Sequence, residues 1–369
     1  MTACPLVLCF LGTAAAAFVG VPNVETLLVV APSDEHPRHS EGDVVALKDG
    51  RLCAVYTRFV RGSRDDAAAD LAARMSADGG KSWTGDRVLV ANEGKANVMS
   101  ASLVRLKDGT LLLFYLRKNG WDDCRLYVRR STDELRTLGE PVPVTDHHGY
   151  HVVNNGRVVR LLTGRLVVPC AVHPCPDGTP KTFSPKGIPR AYLSDDDGRS
   201  WRADAMPASP PPDRRATLQE PGVVELRDSR LWMWMRTMQG TQCESFSTDG
   251  GVHWSEPAPG RLASPCSPAT IARVPWTGDL LCVWNDHSGR HAFTPGRRTP
   301  LCVAVSRDEG RTWGPSRVIE GNPDGWYCYT SITFAGDRVI LSYSGSEAGK
   351  TDRIWWKVIA LSRAWLSMD

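Results

Sequence analysis

A strand–turn–strand unit recurs six times along this chain, and boxes of fixed pattern are interleaved with it. The box reads Ser-x-Asp-x-Gly-x-x-Trp and runs from Ser76 to Trp83, Ser194 to Trp201, Ser247 to Trp254 and Ser306 to Trp313. A fifth copy, opening on Ser131 and Asp133, carries Leu135 and Leu138 where the others have Gly and Trp. The box aspartates at 78, 133, 196, 249 and 308 lie 55, 63, 53 and 59 residues apart, a period that suits a four-stranded unit. Between boxes, an apolar run, a tight polar turn and a second apolar run form the other repeated part. Its copies are DVVALKDGRLCAVYTRF from Asp43, SLVRLKDGTLLLFYLRK from Ser102, GRVVRLLTGRLVVPCAV from Gly156, GVVELRDSRLWMWMRT from Gly222, ATIARVPWTGDLLCVWND from Ala269 and TSITFAGDRVILSYSG from Thr330. Asp-Gly, Thr-Gly, Gly-Asp or Asp-Ser between alternating apolar runs is a strong hairpin signal. The expectation is an all-β fold, a six-bladed β-propeller of four-stranded antiparallel blades, spanning residues 25–369 as one domain. In each box the Asp and Ser can satisfy turn amides, the Gly supplies a backbone shape that side chains resist, and the Trp fills space between blade strands. The boxes are therefore read as structural.

Composition narrows the function. Hydrophobic residues at 42% and charged residues at 23% are ordinary for a globular protein. A net charge of +3 is too mild to imply nucleic acid, yet suits a small anionic substrate. Residues 1–20 carry an apolar run ending in small residues without a preceding Lys or Arg, so they read as a leader or signal peptide lacking its basic start. A secreted or periplasmic location follows if that signal is real, and a cytoplasmic one otherwise. No later stretch reaches the length of a membrane span. The nine cysteines beyond the leader are scattered and odd in number, which is no disulfide framework, although Cys170 and Cys175 are near enough in sequence to pair. No Cys-x-x-Cys spacing occurs, and no metal site is expected.

Asp-boxes in a six-bladed frame make the chain resemble the sialidase superfamily over roughly residues 25–365. The resemblance implies an exo-acting glycosidase for terminal sialic acid or a related nonulosonic acid, working with retention, as a monomer and without a cofactor. Such substrates carry a carboxylate on the anomeric carbon, and three arginines clamp it in the family; their planar forks suit that task. Arg38 in Pro37-Arg38-His39-Ser40 stands before the first hairpin, although family members usually read Arg-Ile-Pro there. Arg236 ends the fourth hairpin, 16 residues after Glu220. Arg298 precedes the last box by eight residues, with Arg297 as its alternative.

An anionic nucleophile would be repelled by this substrate, and sialidases attack with tyrosine instead. Tyr329, entering the sixth hairpin, is the implied nucleophile, with Tyr327 as rival; Glu220 is the implied base, which a phenol of high pKa requires. The implied acid/base is Asp65 or Asp66, in the loop between the first hairpin and the first box, while Asp70 reads as structural. Arg58, ending the first hairpin, resembles a further substrate-contacting arginine. The segments from Asp146 to Asn155 and from Asn285 to Gly289 are expected to rim the pocket. Two alternatives stand beside hydrolysis of sialosides: a carbohydrate-binding propeller without catalysis, and a glycosidase or lyase for another acidic sugar.

Overall fold

A computed structural model describes residues 24–145, 147–205, 213–347 and 351–366. All six expected hairpins form, and each opens a sheet or part of one. The first sheet runs His39–Ala46, Leu52–Phe59, Ala69–Ser76, Arg87–Val90. A nine-stranded sheet holds Asn97–Arg105, Leu111–Lys118, Asp123–Ser131 and Val142–Pro143 together with Gly149–Val152, Val159–Arg160, Leu166–His173, Ile188–Ser194 and Arg202–Ala203. Two further four-stranded sheets follow, Gln219–Glu225, Leu231–Arg236, Thr241–Ser247, Ala258–Ala263, and Thr270–Arg273, Leu280–Asn285, Leu301–Ser306, Arg317–Glu320. The last sheet pairs Trp326–Ala335, Arg338–Ser346 and Trp355–Ser362 with the N-terminal strand Val24–Val30.

The nine-stranded sheet joins what the sequence presents as two units. Its seam is a short parallel pairing, Gly149 with Asp123 and Tyr150 with Cys124. The second unit's fourth strand shrinks to Val142–Pro143, and a proline cannot donate to a ladder. The edge left open beside Asp123 and Cys124 is taken by the chain entering the third unit.

The apolar runs bury their faces between sheets. Six apolar clusters form, one at each junction of consecutive units, and the last joins the final sheet to the first through Ile340, Trp356 and Val358 against Val44, Ala54 and Tyr56. Box tryptophans reach across these junctions rather than filling space within one sheet. Trp83 Nε1 donates to the Leu27 carbonyl of the last sheet at 2.9 Å, and Trp201 meets Phe114 edge-on. The degenerate fifth box keeps the Ser–Asp turn geometry: Ser131 Oγ bonds Asp133 at 2.9 Å, and Thr137 N and Oγ1 donate to Asp133 at 2.9 and 2.6 Å. Glu134 and Leu135 adopt the positive φ that other boxes leave mainly to glycine, 60° and 63°, and the buried Leu135 fills the neighbouring cluster. Cys170 and Cys175, near in sequence, are both free, as are the other seven described cysteines. Cys170 faces the core from a central strand, while Cys175 lies in a loop beyond it.

Candidate active site

In most units the leading end of the first strand points at a common cavity. In four units that strand carries a bulge, between Ser40 and Asp43, Met99 and Ser102, Gln219 and Gly222, and Cys328 and Ser331. At each bulge one residue other than glycine takes positive φ: Glu41 at 40°, Ser100 at 62°, Glu220 at 48° and Tyr329 at 57°. Such a conformation is costly for a side chain, and bulges re-aim the residues they hold. All four line one cavity of about 290 Å³, together with Asp65, Lys118, His173, Arg236 and Arg298. An apolar sector of Met99, Leu116, Tyr150, Val153 and Phe183 completes the wall. A second, more open cavity of about 410 Å³ shares Asp65 and Tyr329 with the first, and Arg38, Asp66, Trp121 and Trp326 line it.

The charged groups are interlocked. Arg236 Nη1 donates to Glu220 Oε2 at 2.8 Å. Burial would raise the Glu220 pKa, but Arg236 and Arg298 outweigh it and hold the carboxyl below its ordinary range. Glu220 is thus ionised beside Tyr329, whose phenol is pushed well above its ordinary pKa by burial and then by the Glu220 charge. Arg298 stacks over Tyr329 and Trp326 at 5.6 and 5.0 Å and donates to Cys328 Sγ at 3.0 Å. Arg38 is held by Glu41 at 2.7 Å and Asp65 at 2.6 Å and lies over the Phe59 ring at 4.3 Å.

Asp65 is 59% exposed along its side chain, yet its carboxylate is spoken for. Desolvation would raise its pKa, but Arg38 and Lys118 prevail and lower it. Lys118 also donates Nζ to the Asp65 carbonyl at 2.8 Å, and Asn97 donates to the same oxygen at 2.9 Å, which pins the loop at its root. Asp66 turns outward to Arg64. Arg58 stands apart from both cavities: Asp70 at 2.8 Å and Asp86 at 3.3 Å occupy it. Tyr327 is fully buried beside Trp355 and lines neither cavity, and Arg297 is exposed. His151 and Asn154 line the first cavity; Asp146 lies outside the described residues.

Glu41, Lys118 and His173 escape a search by residue type, although position in the repeat marks them. Glu41, Ser100, Asn155 and Glu220 each stand nine residues before the positive-φ turn residue of their hairpin, at 50, 109, 164 and 229. Lys118, His173 and Arg236 each end the second strand.

A family model described as a BNR repeat-like domain matches residues 50–341. No curated protein matches significantly. Among solved structures, a Dyadobacter fermentans protein of unknown function is similar with a TM-score of 0.70 and 19% identity, over 92% of this chain and all of that one. The leech intramolecular trans-sialidase, complexed with 2,7-anhydro-Neu5Ac, matches with a TM-score of 0.71 and 14% identity, over 93% of this chain and 70% of that one. The intramolecular trans-sialidase of Ruminococcus gnavus matches with a TM-score of 0.69 and 14% identity, over 95% of this chain and 100% of that one. At these identities the likeness is one of fold: four-stranded antiparallel sheets arranged as in sialidases.

Proposed function

The chain belongs to the BNR repeat-like family of the sialidase superfamily, and from that premise we propose that it is an exo-α-sialidase acting on terminal sialic acid or a related nonulosonic acid. The frame in this reading is a six-bladed propeller in which the nine-stranded sheet counts as two blades. The six clusters, the last of them joining final sheet to first, support that count. One observation carries the functional reading: a half-buried tyrosine, an ionised glutamate and two arginines converge on one cavity from three separate sheets.

Arg236, Arg298 and Arg38 hold the substrate carboxylate. Glu220 accepts the Tyr329 proton as the phenolic oxygen attacks the anomeric carbon and the glycosidic bond breaks, with the leaving oxygen taking a proton from Asp65 or Asp66. Water then cleaves the tyrosyl–sugar bond with the same carboxylate as base, which returns the original configuration. Arg38 already carries a carboxylate, that of Asp65. A substrate carboxylate competing for Arg38 releases Asp65, and with its strongest counter-charge shared its pKa rises toward that of an acid.

Replacing Tyr329 with Phe is expected to lower kcat/KM on a fluorogenic sialoside on the order of 1,000-fold while a non-hydrolysable carboxylate analogue still binds. Full activity in that variant sinks the assignment. The same Asp65–Arg38 pair favours a second reading, a carbohydrate-binding propeller without turnover, because it leaves the acid ionised. Binding without release across sialoside, Kdn and uronic acid glycosides would favour that alternative, and release from the uronic acid glycosides alone would redirect the substrate class.

A further inference from the structure

Asp286, His291 and Cys302 lie apart from the candidate active site, yet their ligand atoms all fall within 4.8 Å of one another. Asp286 follows the strand Leu280–Asn285, Cys302 stands in the strand Leu301–Ser306 that pairs with it, and His291 comes from the loop between them. We propose that these three residues hold a zinc ion.

Three features point that way. The donor set of carboxylate, imidazole and thiol is the mixed one that zinc accepts, and bonds of about 2.0–2.3 Å put tetrahedral donors roughly 3.3–3.8 Å apart, within the observed enclosure. Asp286 is 1% exposed, its carboxylate accepts from Ser288 N at 2.9 Å and from Ser316 Oγ, and among the described residues no lysine or arginine forms an ion pair with it; a buried charge without a counter-charge is costly, and a divalent cation supplies one. Finally, Ser316 braces both oxygen and nitrogen ligands: its Oγ donates to Asp286 Oδ2 at 2.5 Å and lies 2.9 Å from His291 Nε2. Outer contacts of this kind orient metal ligands, and a water is the available fourth donor.

The ion ties the loop over residues 286–297 to its sheet just before Arg298. His287 Nε2 on the Thr299 carbonyl at 3.0 Å is a second tie on the same loop. The role is structural and does not depend on the hydrolase reading.

The full chain, dialysed against zinc and then buffer, is expected to retain one zinc per molecule. Loading with cobalt should give a thiolate-to-cobalt charge-transfer band in the near ultraviolet. Cys302→Ala removes the band, His291→Ala removes the bound metal, and Ser316→Ala weakens zinc binding about 10–100-fold. Far-ultraviolet circular dichroism checks that each variant is folded, and His291→Ala, a loop change, serves if Cys302→Ala is not. Only background zinc in the wild-type chain overturns the proposal. So does a cobalt band that survives Cys302→Ala, or zinc affinity unchanged in a folded His291→Ala.

Discussion

Tyr329 and Glu220 owe their aim to backbone conformations that side chains seldom adopt, and the ion pairs around them absorb the charge that such crowding creates. Arg58 shows the contrast. Its guanidinium bonds Asp70 twice, at 3.0 and 2.8 Å, on an outer part of the first sheet. Arg58→Ala should therefore leave kcat and KM within about threefold of wild type while lowering stability by about 1–3 kcal/mol, read from the denaturation midpoint. His39 titrates against burial. Its ring is pushed down from 6.5 to about 4, chiefly by desolvation, so the unfolded chain binds this proton more readily than the folded one. The stability it supports is complete above pH 6.5 and drains away as pH falls toward 4, about 3 kcal/mol in all. A His39→Gln variant should lose less stability than wild type between pH 7 and pH 4.5 in parallel urea titrations.

Elements of secondary structure were the legible scale. Alternation and turn chemistry marked all six hairpins, because their apolar runs are buried between sheets and each turns on residues that tolerate positive φ. What the pattern hid were the bulges: one extra residue on a strand leaves no compositional trace, yet it separates Tyr329, in the cavity, from Tyr327, in the core. Of the cavity residues with distinctive chemistry, Arg236, Glu220 and Tyr329 were visible at hairpin ends, and Arg298 ahead of the strand that runs into the last box. Glu41 and Lys118 were silent, since a glutamate or lysine near a strand end ordinarily faces solvent. The decayed box at Ser131 was read as degenerate, although the hydrogen bonds of its Ser and Asp survive. Boxes meet the hairpin turns at the end of the molecule away from the cavity, as where Arg165 bonds the Gly250 carbonyl at 3.0 Å and Arg338 the Gly79 carbonyl at 3.0 Å. Asp196→Ala removes contacts to Ser194 Oγ at 2.8 Å and to Ser200 N and Oγ at 2.9 and 2.6 Å. It should cost about 1–3 kcal/mol in thermal or chemical unfolding and leave turnover unchanged.

At the scale of the whole molecule, struts cross between first strands. Arg157, 2% exposed, reaches from the third unit to the Ala269 carbonyl at 2.7 Å and Thr270 Oγ1 at 3.1 Å, and Thr270 Oγ1 donates onward to the Thr330 carbonyl at 2.7 Å. Asn155 likewise donates to the carbonyls of Gly42 and Tyr329 at 2.7 and 3.0 Å. Removing residues 1–31 deletes the strand Val24–Val30, strips a partner from Trp355–Ser362 and uncovers the cluster around Leu27 and Leu28. Such a truncation is expected to abolish cooperative unfolding and to open the last sheet to proteolysis.

That N-terminal strand also fixes when the protein can be finished. Val24 pairs with Leu361, so the first described residue made by the ribosome waits for almost the last one before its backbone finds a partner. Until then the nascent chain carries an open seam, a long-range closure whose entropic cost comes due only after Trp355–Ser362 has been made. Once shut, the seam lies inside a hydrogen-bonded ladder rather than between two sheets, so the paired strand ends at Val24 and Leu361, about 5 Å apart across it, act as a clasp. Joining them covalently and cutting the chain at an exposed turn would move the gap without removing any strand.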